Sequence, residues 1–472
     1  MIRLALEGAA GAGEQWAFET LVDVARLVPA ATGEVPAVRA VRAEAASTAP
    51  AVVVAGDGLV RVSARALERI LDVAGAGREQ RSGIRDRHGR VPSSESAVVQ
   101  EGSERTVALR ILADALRSAV REAAGPRPVA VVAPWPDGHR WAAAFTHDLD
   151  VVTGWPLFAA MRWAELAGKG RLARAGRAVA STVQSLPGDP VRQGVEALLA
   201  LEHRSGVRAT WFVLAGRPTL TSWRRGDITY SLESSRARRL LDRIAGGGHE
   251  LGLHGSFNTR DSAELLAEER ARLAAAVGQS PQGLRQHFLR MAPVATLRAA
   301  ATAGFAYDST FGFPDRNGFR LGLADIVSVW DAVAGQVVNL QEAPLVWMDR
   351  ALSKYQGVED PHKWTDDALE LASVCEAAQG LWVGLWHPNV TPALGFPGSL
   401  EALDRLISSI VARGPYLAPL GEIVAWRRAR RAVRGRVEGD GRMVLTGDDH
   451  LGRWKFTLDR SGDAEPGETL LD

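Results

Sequence analysis

From residue 129 onwards, short apolar runs alternate with longer segments of helical periodicity, and this alternation constrains the fold more than any other feature. The apolar runs are VAVVAP, WAAAFTHDLD, ATWFVLAG, HELGLHG, AYDSTFG, VVNLQEAPL and GLWVGLWHPN. Strands that are separated by amphipathic helices usually pair in parallel, and helices cover the faces of such a sheet. The sequence therefore predicts an α/β fold, either a barrel or an open sheet.

With 472 residues the chain is too long for one ordinary domain, and we predict three units. Residues 1–125 have alternating strand and helix patterns, which predict a small N-terminal α/β domain. A polar segment near 75–106 interrupts them and is expected to be a long, mobile insertion. Residues 126–435 carry the alternating pattern. Residues 436–472 contain two short strand patterns about a Gly-Asp-Asp turn and then a tail, which is typical of a hairpin.

Charge and cysteine content restrict the possible partners and cofactors. The formal net charge is only +1, which argues against nucleic acid and anionic membranes as partners. Cys375 is the only cysteine, so any metal ligands must be His, Asp or Glu. The N-terminus lacks the pattern of a secretory signal and no segment has the length of a membrane span, so we expect a cytoplasmic protein. Nothing in the sequence indicates the oligomeric state.

Side chains suited to catalysis follow several of the predicted strands. Asp148 and Asp150 end the strand in FTHDLD, His254 ends the strand in HELGLHG, and His387 ends the strand in GLWVGLWHPN. Carboxylates two residues apart on a strand share a face, so one can bind a metal while the other takes a proton from water. A lone acidic pair or histidine is more often structural. Their recurrence at successive strand ends favours a functional site.

In their order along the chain, these motifs resemble those of the polysaccharide deacetylases, carbohydrate esterases that share the NodB homology domain. FTHDLD resembles the first motif of the family, GGHELGLHG the second, RQHFLR the third, and AGFAYDST and LWHPN the later ones; ATWFV resembles the strand between the first two. The resemblance covers roughly residues 141 to 430. It implies a distorted (β/α) barrel that hydrolyses an N-acyl group on a saccharide.

The resemblance also implies a role for each matched residue. Asp148 is expected to be the general base, Arg285 its orienting partner and His387 the general acid. Asp150 and His254 are expected to bind a divalent metal, with Zn²⁺ as the expected ion. Such an ion activates water and polarises the acyl carbonyl.

One position departs from the family pattern. The second motif usually has another histidine four residues after the first, and this chain has Asn258 there. His287 stands where the third motif commonly has a proline, and it is predicted to be the third ligand, with substrate contact as its alternative role. Asn258 and His147 are weaker candidates, because imidazole is a better zinc donor than an amide.

Five further residues are predicted to contact the substrate. Guanidinium groups form two-pronged contacts with carboxylates and phosphates, and indole rings stack on sugars. Loop salt bridges and core packing are the ordinary roles of such side chains. The residues are Arg290, Asp308, Arg316, Arg320 and Trp386.

These observations lead to one main hypothesis and two alternatives. The main hypothesis is a metal-dependent hydrolase that removes an acetyl or similar acyl group from an N-acylated saccharide or glycan precursor. The first alternative is a degenerate deacetylase that binds glycans without turnover, which Asn258 favours. The second is an amidohydrolase acting on a non-sugar C–N bond, which a cytoplasmic location would permit.

Overall fold

The computed structural model describes residues 1–44, 50–127, 129–152, 155–184, 189–228, 230–437, 443–447, 456–460 and 467–469. The N-terminal part consists of the strands β1 (Ile2–Glu7), β2 (Val38–Ala43), β3 (Val52–Gly56) and β4 (Leu59–Ser63) and the helices α1 (Ala12–Val24), α2 (Ala64–Val73), α3 (Gly77–Arg81), α4 (Ala97–Gln100) and α5 (Arg110–Ala124). Strands β1, β2 and β4 pair in parallel, and β3 pairs antiparallel with β4. This part of the chain is therefore a small α/β unit.

The middle of the chain alternates strands with helices. Its strands are β5 (Ala130–Val132), β6 (Ala142–Leu149), β7 (Thr210–Leu214), β8 (Glu250–Gly255), β9 (Gly283–Gln286), β10 (Tyr307–Asp308), β11 (Val327–Asp331), β12 (Gln336–Glu342), β13 (Trp347–Met348), β14 (Leu381–Leu385) and β15 (Tyr416–Leu417). Its helices are α6 (Trp155–Gly168), α7 (Leu172–Gln184), α8 (Pro190–Arg204), α9 (Leu220–Arg225), α10 (Ser235–Gly246), α11 (Ala263–Val277), α12 (Ala295–Thr302), α13 (Pro361–Ala377), α14 (Ser399–Val411) and α15 (Leu420–Ala432).

Ten of these strands form one sheet in the order β11-β12-β10-β9-β8-β7-β6-β14-β13, with β15 added beside β6. All neighbours pair in parallel except β11 and β12. Only residues 343–346 connect β12 to β13 at the opposite end of this order, and four residues span at most roughly 14 Å. The sheet must therefore curl back on itself. This arrangement confirms the predicted α/β fold in the form of a distorted barrel.

The parallel register brings the predicted site residues to one end of the sheet. Strand β6 is buried along its whole length, as expected for a parallel strand that is covered on both faces. Asp148 lies near the carboxyl end of β6, and His254 and Arg285 are paired across β8 and β9. His387 follows β14, which pairs with β6 through Leu385 and Thr146. Within the described residues, no helix combines the length and the apolarity needed to cross a bilayer.

The polar segment 75–106, predicted to be a mobile insertion, lies against the barrel through buried polar contacts. The Arg320 guanidinium donates to both carboxylate oxygens of Glu79, and the side chains of both residues are only 3% exposed. Arg90 Nη1 donates to the carbonyl of Phe288 at 2.7 Å. Two of the charged side chains that made this segment look exposed in the sequence, Glu79 and Arg90, thus form buried contacts with the barrel.

The C-terminal strands pair differently from the predicted hairpin. Both predicted strands are present, as β17 (Met443–Thr446) and β18 (Phe456–Arg460). However, β17 pairs with β16 (Arg434–Val437), and β18 pairs with β5 and with β19 (Gly467–Thr469). The predicted turn extends into residues 448–455, which lie outside the described part.

The buried ion pair between Arg320 and Glu79 gives a test of how the insertion is held. Glu79→Ala leaves a buried guanidinium without its counter-charge, so we expect the free energy of unfolding to fall by about 3–5 kcal/mol. The matched control is Glu101→Ala, which removes a half-exposed pair with Arg69 and should cost less than about 1 kcal/mol. Urea denaturation measures both. Equal losses in the two variants would contradict the anchoring role of Glu79.

Candidate active site

Three side chains that suit a metal converge at the carboxyl end of the sheet. Their potential ligand atoms, from Asp150, His254 and His287, all lie within 4.8 Å of one another. Asp150 Oδ1 is 3.3 Å from His254 Nε2 and 3.8 Å from His287 Nε2. Ligands at about 2.0–2.1 Å around tetrahedral zinc lie roughly 3.4 Å apart. The donor set and its spacing therefore fit a divalent cation.

Both imidazoles are oriented by a hydrogen bond on the other ring nitrogen. His254 Nδ1 donates to the backbone carbonyl of Arg285 at 2.9 Å. His287 Nδ1 donates to Asp227 Oδ1 at 2.8 Å. Each contact places the proton on Nδ1 and leaves the lone pair of Nε2 directed towards Asp150, as is usual for histidines that bind metals.

The two weaker candidates for the third ligand lie elsewhere. Asn258 is exposed on the turn Phe257–Thr259. His147 is buried, and its ring nitrogens contact Glu202 Oε1 and the carbonyl of Trp386, each at 2.7 Å. Because side chains alternate along a strand, His147 faces away from its neighbour Asp148. Of the three candidates, His287 is the one that belongs to the cluster.

Asp148 lies beside this cluster and is held by Arg285. Arg285 Nη1 donates to Asp148 Oδ1 at 3.0 Å, and both side chains are buried. Asp148 Oδ2 is 3.7 Å from His254 Nε2. One carboxylate oxygen is thus fixed by the guanidinium, while the other faces the cluster, where it can accept a proton from water.

His387 lies on the other side of Asp150 and has its own carboxylate partner. Its Nδ1 donates to Asp349 Oδ1 at 2.6 Å, and its backbone N–H donates to Asp349 Oδ2 at 2.9 Å. Its Nε2 is 3.8 Å from Asp150 Oδ2. The aspartate fixes the ring and stabilises its protonated form, so Nε2 can act as a proton donor.

Burial and the neighbouring charges shift the pKa values at this site in opposite directions. Burial would lower the pKa of His254 and of His387, but the carboxylates around each ring raise both above the ordinary value. Burial alone would raise the pKa of Asp150, but His287, His254 and His387 hold it well below the usual range. The cluster therefore favours the ionised form of Asp150.

The two aspartates Asp148 and Asp150 and the three histidines of the site line one cavity of about 270 Å³. The N-terminal insertion contributes His88 and Arg90 to its wall, and Phe288 and Arg350 also line it. Sequence reasoning missed these residues and also missed Asp227 and Asp349. The insertion carries no recognisable motif. Asp349 precedes an arginine directly and Asp227 follows one by two residues, and such pairs are too common in this sequence to single out.

The structure does not bring the predicted substrate-binding arginines into the wall of this cavity. Arg320 is buried in its ion pair with Glu79. Arg316 pairs with Glu104 and Asp315. Arg290 donates to the carbonyls of His88 and Phe257. These side chains hold the insertion and the loops, which is the ordinary structural role of such arginines.

Asp308 and Trp386 are likewise outside the cavity wall. Asp308 is buried and accepts hydrogen bonds from the backbone N–H and the hydroxyl of Thr310. Trp386 is 2% exposed and packs on Trp347 and Trp364. Both residues support the barrel wall in this structure.

Comparisons with known proteins give distant likenesses only. No model of a known protein family matches the sequence, and no curated protein matches it. A structure from Mycobacterium smegmatis, described as a polysaccharide deacetylase, is 23% identical, with 62% of this chain and 92% of that chain covered and a TM-score of 0.43. One from Pseudomonas aeruginosa PAO1, also described as a polysaccharide deacetylase, is 19% identical, with 63% and 94% covered and a TM-score of 0.42.

An allantoinase structure is 16% identical, with 64% of this chain and 94% of that chain covered and a TM-score of 0.41. The function proposed for the chain therefore rests on the side chains of the site.

The geometry of the cluster predicts which residues bind a metal. His287→Ala removes one of three ligands, so we expect metal content to fall from about one divalent ion per chain to a small fraction of that. Asn258→Ala removes only an exposed amide and should retain the ion. Plasma mass spectrometry of the purified proteins measures both. Wild-type metal content in His287→Ala would contradict the assignment.

A second prediction concerns Asp308, which lies against the buried Glu342. Burial raises the pKa of Asp308 to about 6 and that of Glu342 well above its usual range. The folded protein thus holds protons that the unfolded chain releases above pH 4 to 5, so these acids make stability fall as pH rises. For Asp308 alone the loss is roughly 3 kcal/mol, complete above pH 6.

Glu342→Gln removes one acid of this pair, and we expect the loss of melting temperature between pH 5 and pH 8 to become smaller. Glu68→Gln, on the exposed face of α2, is the matched control and should follow the wild type. Thermal unfolding across that pH range is the measurement. A pH profile of Glu342→Gln that is parallel to the wild type would show that the pair does not titrate as described.

Proposed function

We propose that this protein is a metal-dependent hydrolase that removes an acetyl or similar acyl group from the nitrogen of an amino sugar. The observation that carries the proposal is the arrangement around Asp150. A three-residue cluster with metal-ligand spacing has a carboxylate, Asp148, on one side and a carboxylate-bound imidazole, His387, on the other. The choice of a saccharide rests on the order of the motifs, which resembles that of the polysaccharide deacetylases.

Asp150, His254 and His287 would hold the ion. When bound, a divalent cation there supplies a Lewis acid for the acyl carbonyl and lowers the pKa of water. Asp148, held by Arg285, accepts the proton of the attacking water at Oδ2. His387 Nε2 donates a proton to the departing amine, and the Asp349 carboxylate balances the positive charge of the ring. Each proton transfer of this kind contributes about 10²–10⁴ to the rate.

The hypothesis of a glycan-binding protein without activity depended on Asn258, because that residue left the ligand set incomplete. His287 supplies the missing imidazole from the next strand end, so the main support for that alternative is removed. A site that keeps its base, its acid and three ligands together favours turnover.

Removal of the base tests the mechanism. Asp148→Asn keeps the cluster, so we expect wild-type metal content together with a loss of about 10²–10⁴ in kcat. The assay is release of acetate from N-acetylglucosamine and from its oligomers, screened with the metal-loaded protein. His362→Ala, an exposed histidine on α13, is the control and should keep full activity. Acetate release by Asp148→Asn at the wild-type rate would exclude Asp148 as the base.

A further inference from the structure

Beside the candidate active site, the cavity wall carries three cations that the proposed reaction does not use. They are Arg225, Arg350 and Lys354, which we call the cationic wall. Arg225 lies two residues before Asp227, the partner of His287, and Arg350 directly follows Asp349, the partner of His387. The backbone segments that orient the two imidazoles therefore also hold these cations close to the site.

None of these three side chains forms a salt bridge within the described residues. Each charged nitrogen lies more than 4.0 Å from every described carboxylate oxygen. Arg350 Nη1 donates to the Ser353 hydroxyl, Arg225 lies over the Phe257 ring, and Lys354 lies over the Tyr355 ring. Arg90, a neighbour in the same cavity, shows the usual arrangement, since it is paired with Asp86.

The carboxylates in the described cavity wall are those of Asp148 and Asp150. Both belong to the metal cluster, where Arg285 and the histidines balance their charge. Arg225, Arg350 and Lys354 thus stand in this wall without a salt bridge to a described carboxylate. Burial lowers the pKa of Arg350, and this effect outweighs the opposing attraction of the carboxylates of Asp349 and Glu165.

We propose that the cationic wall binds an anionic group of the substrate, so that the acylated compound carries a carboxylate or a phosphate. The proposal rests on the proposed function for the position of the acyl group, but the binding of the anion is independent of turnover. Guanidinium groups bind carboxylates and phosphates in charge-assisted contacts, and Lys354 adds a point charge. An amino sugar with such a substituent carries an acyl group for the metal cluster and an anion for the cationic wall.

The test measures binding of amines that lack the acyl group and are not turned over. Isothermal titration calorimetry of the wild-type protein compares glucosamine, glucosamine 6-phosphate and muramic acid, which carries a carboxylate. The variants are Arg350→Gln and Lys354→Ala, and the matched control is Arg224→Gln, an exposed arginine next to Arg225 on α9. Because Lys354 is exposed, Lys354→Ala keeps the test valid if Arg350→Gln does not fold.

We expect at least one anionic amine to bind at least roughly tenfold more tightly than glucosamine. Arg350→Gln and Lys354→Ala should each remove most of that gain, Arg224→Gln should not, and added salt should weaken only the anionic ligands. Tighter binding of the phosphate assigns a phosphate, and tighter binding of muramic acid assigns a carboxylate. Equal affinity for all three amines would overturn the proposal.

An anion held by the metal ion alone would also overturn it. In that case both variants would bind the anionic amines as the wild type does. Failure of the proposed function is a separate result. It would appear as anion binding that depends on Arg350 and Lys354, without acetate release from the N-acetyl forms of the same three compounds.

Discussion

The guanidinium of Arg285 is completely buried and connects the parts of the candidate active site. It donates to Thr146 and Asp148 on β6 and to the carbonyl and hydroxyl of Ser309 after β10. The backbone carbonyl of Arg285 in turn accepts a hydrogen bond from His254. A buried charge of this kind is tolerated only when its donors are satisfied, and removal of one partner usually costs about 3–5 kcal/mol. The proposed base and one proposed metal ligand are therefore positioned by the same residue, and the barrel must close correctly around Arg285 before either is in place.

The N-terminal unit takes part in this positioning. Phe288 has a φ of 62°, a left-handed conformation that costs an ordinary residue about 1–3 kcal/mol and needs support from its surroundings. Arg90 supplies it by donating to the Phe288 carbonyl, and His88 stacks on the Phe288 ring from one side. The ring in turn stacks on His287, with 3.7 Å between the centroids. The proposed third ligand is thus held in place by a segment that lies roughly 200 residues earlier in the chain.

The sequence predicted what local patterns encode. Strand periodicity placed His254 and the other candidates at strand ends, and the parallel order of the barrel follows from the alternation of strands and helices. His287 could be proposed because it stood where the motif lacked a donor. Asp227 and Asp349 lie 60 and 38 residues from their histidines, and Arg320 lies 241 residues from Glu79. No local pattern encodes such pairings, so an arginine in a long-range salt bridge looks the same in a sequence as one that contacts a ligand.

In the proposed mechanism, the two oxygens of Asp150 separate metal binding from proton donation. Oδ1 faces His254 and His287, whereas Oδ2 faces His387. His254, His287 and Oδ1 would hold the cation, whose charge would offset that of the carboxylate on this side. His387 lies across the carboxylate and keeps the negative charge of Asp349 on its other nitrogen, so its ring remains able to carry a proton. In the proposed mechanism, the Asp150 side chain therefore separates the metal ligands from the acid. Because a shift of about 1 Å in such groups costs roughly 10²-fold in rate, the rigidity of β6 and the buried contacts around it are part of the proposed mechanism.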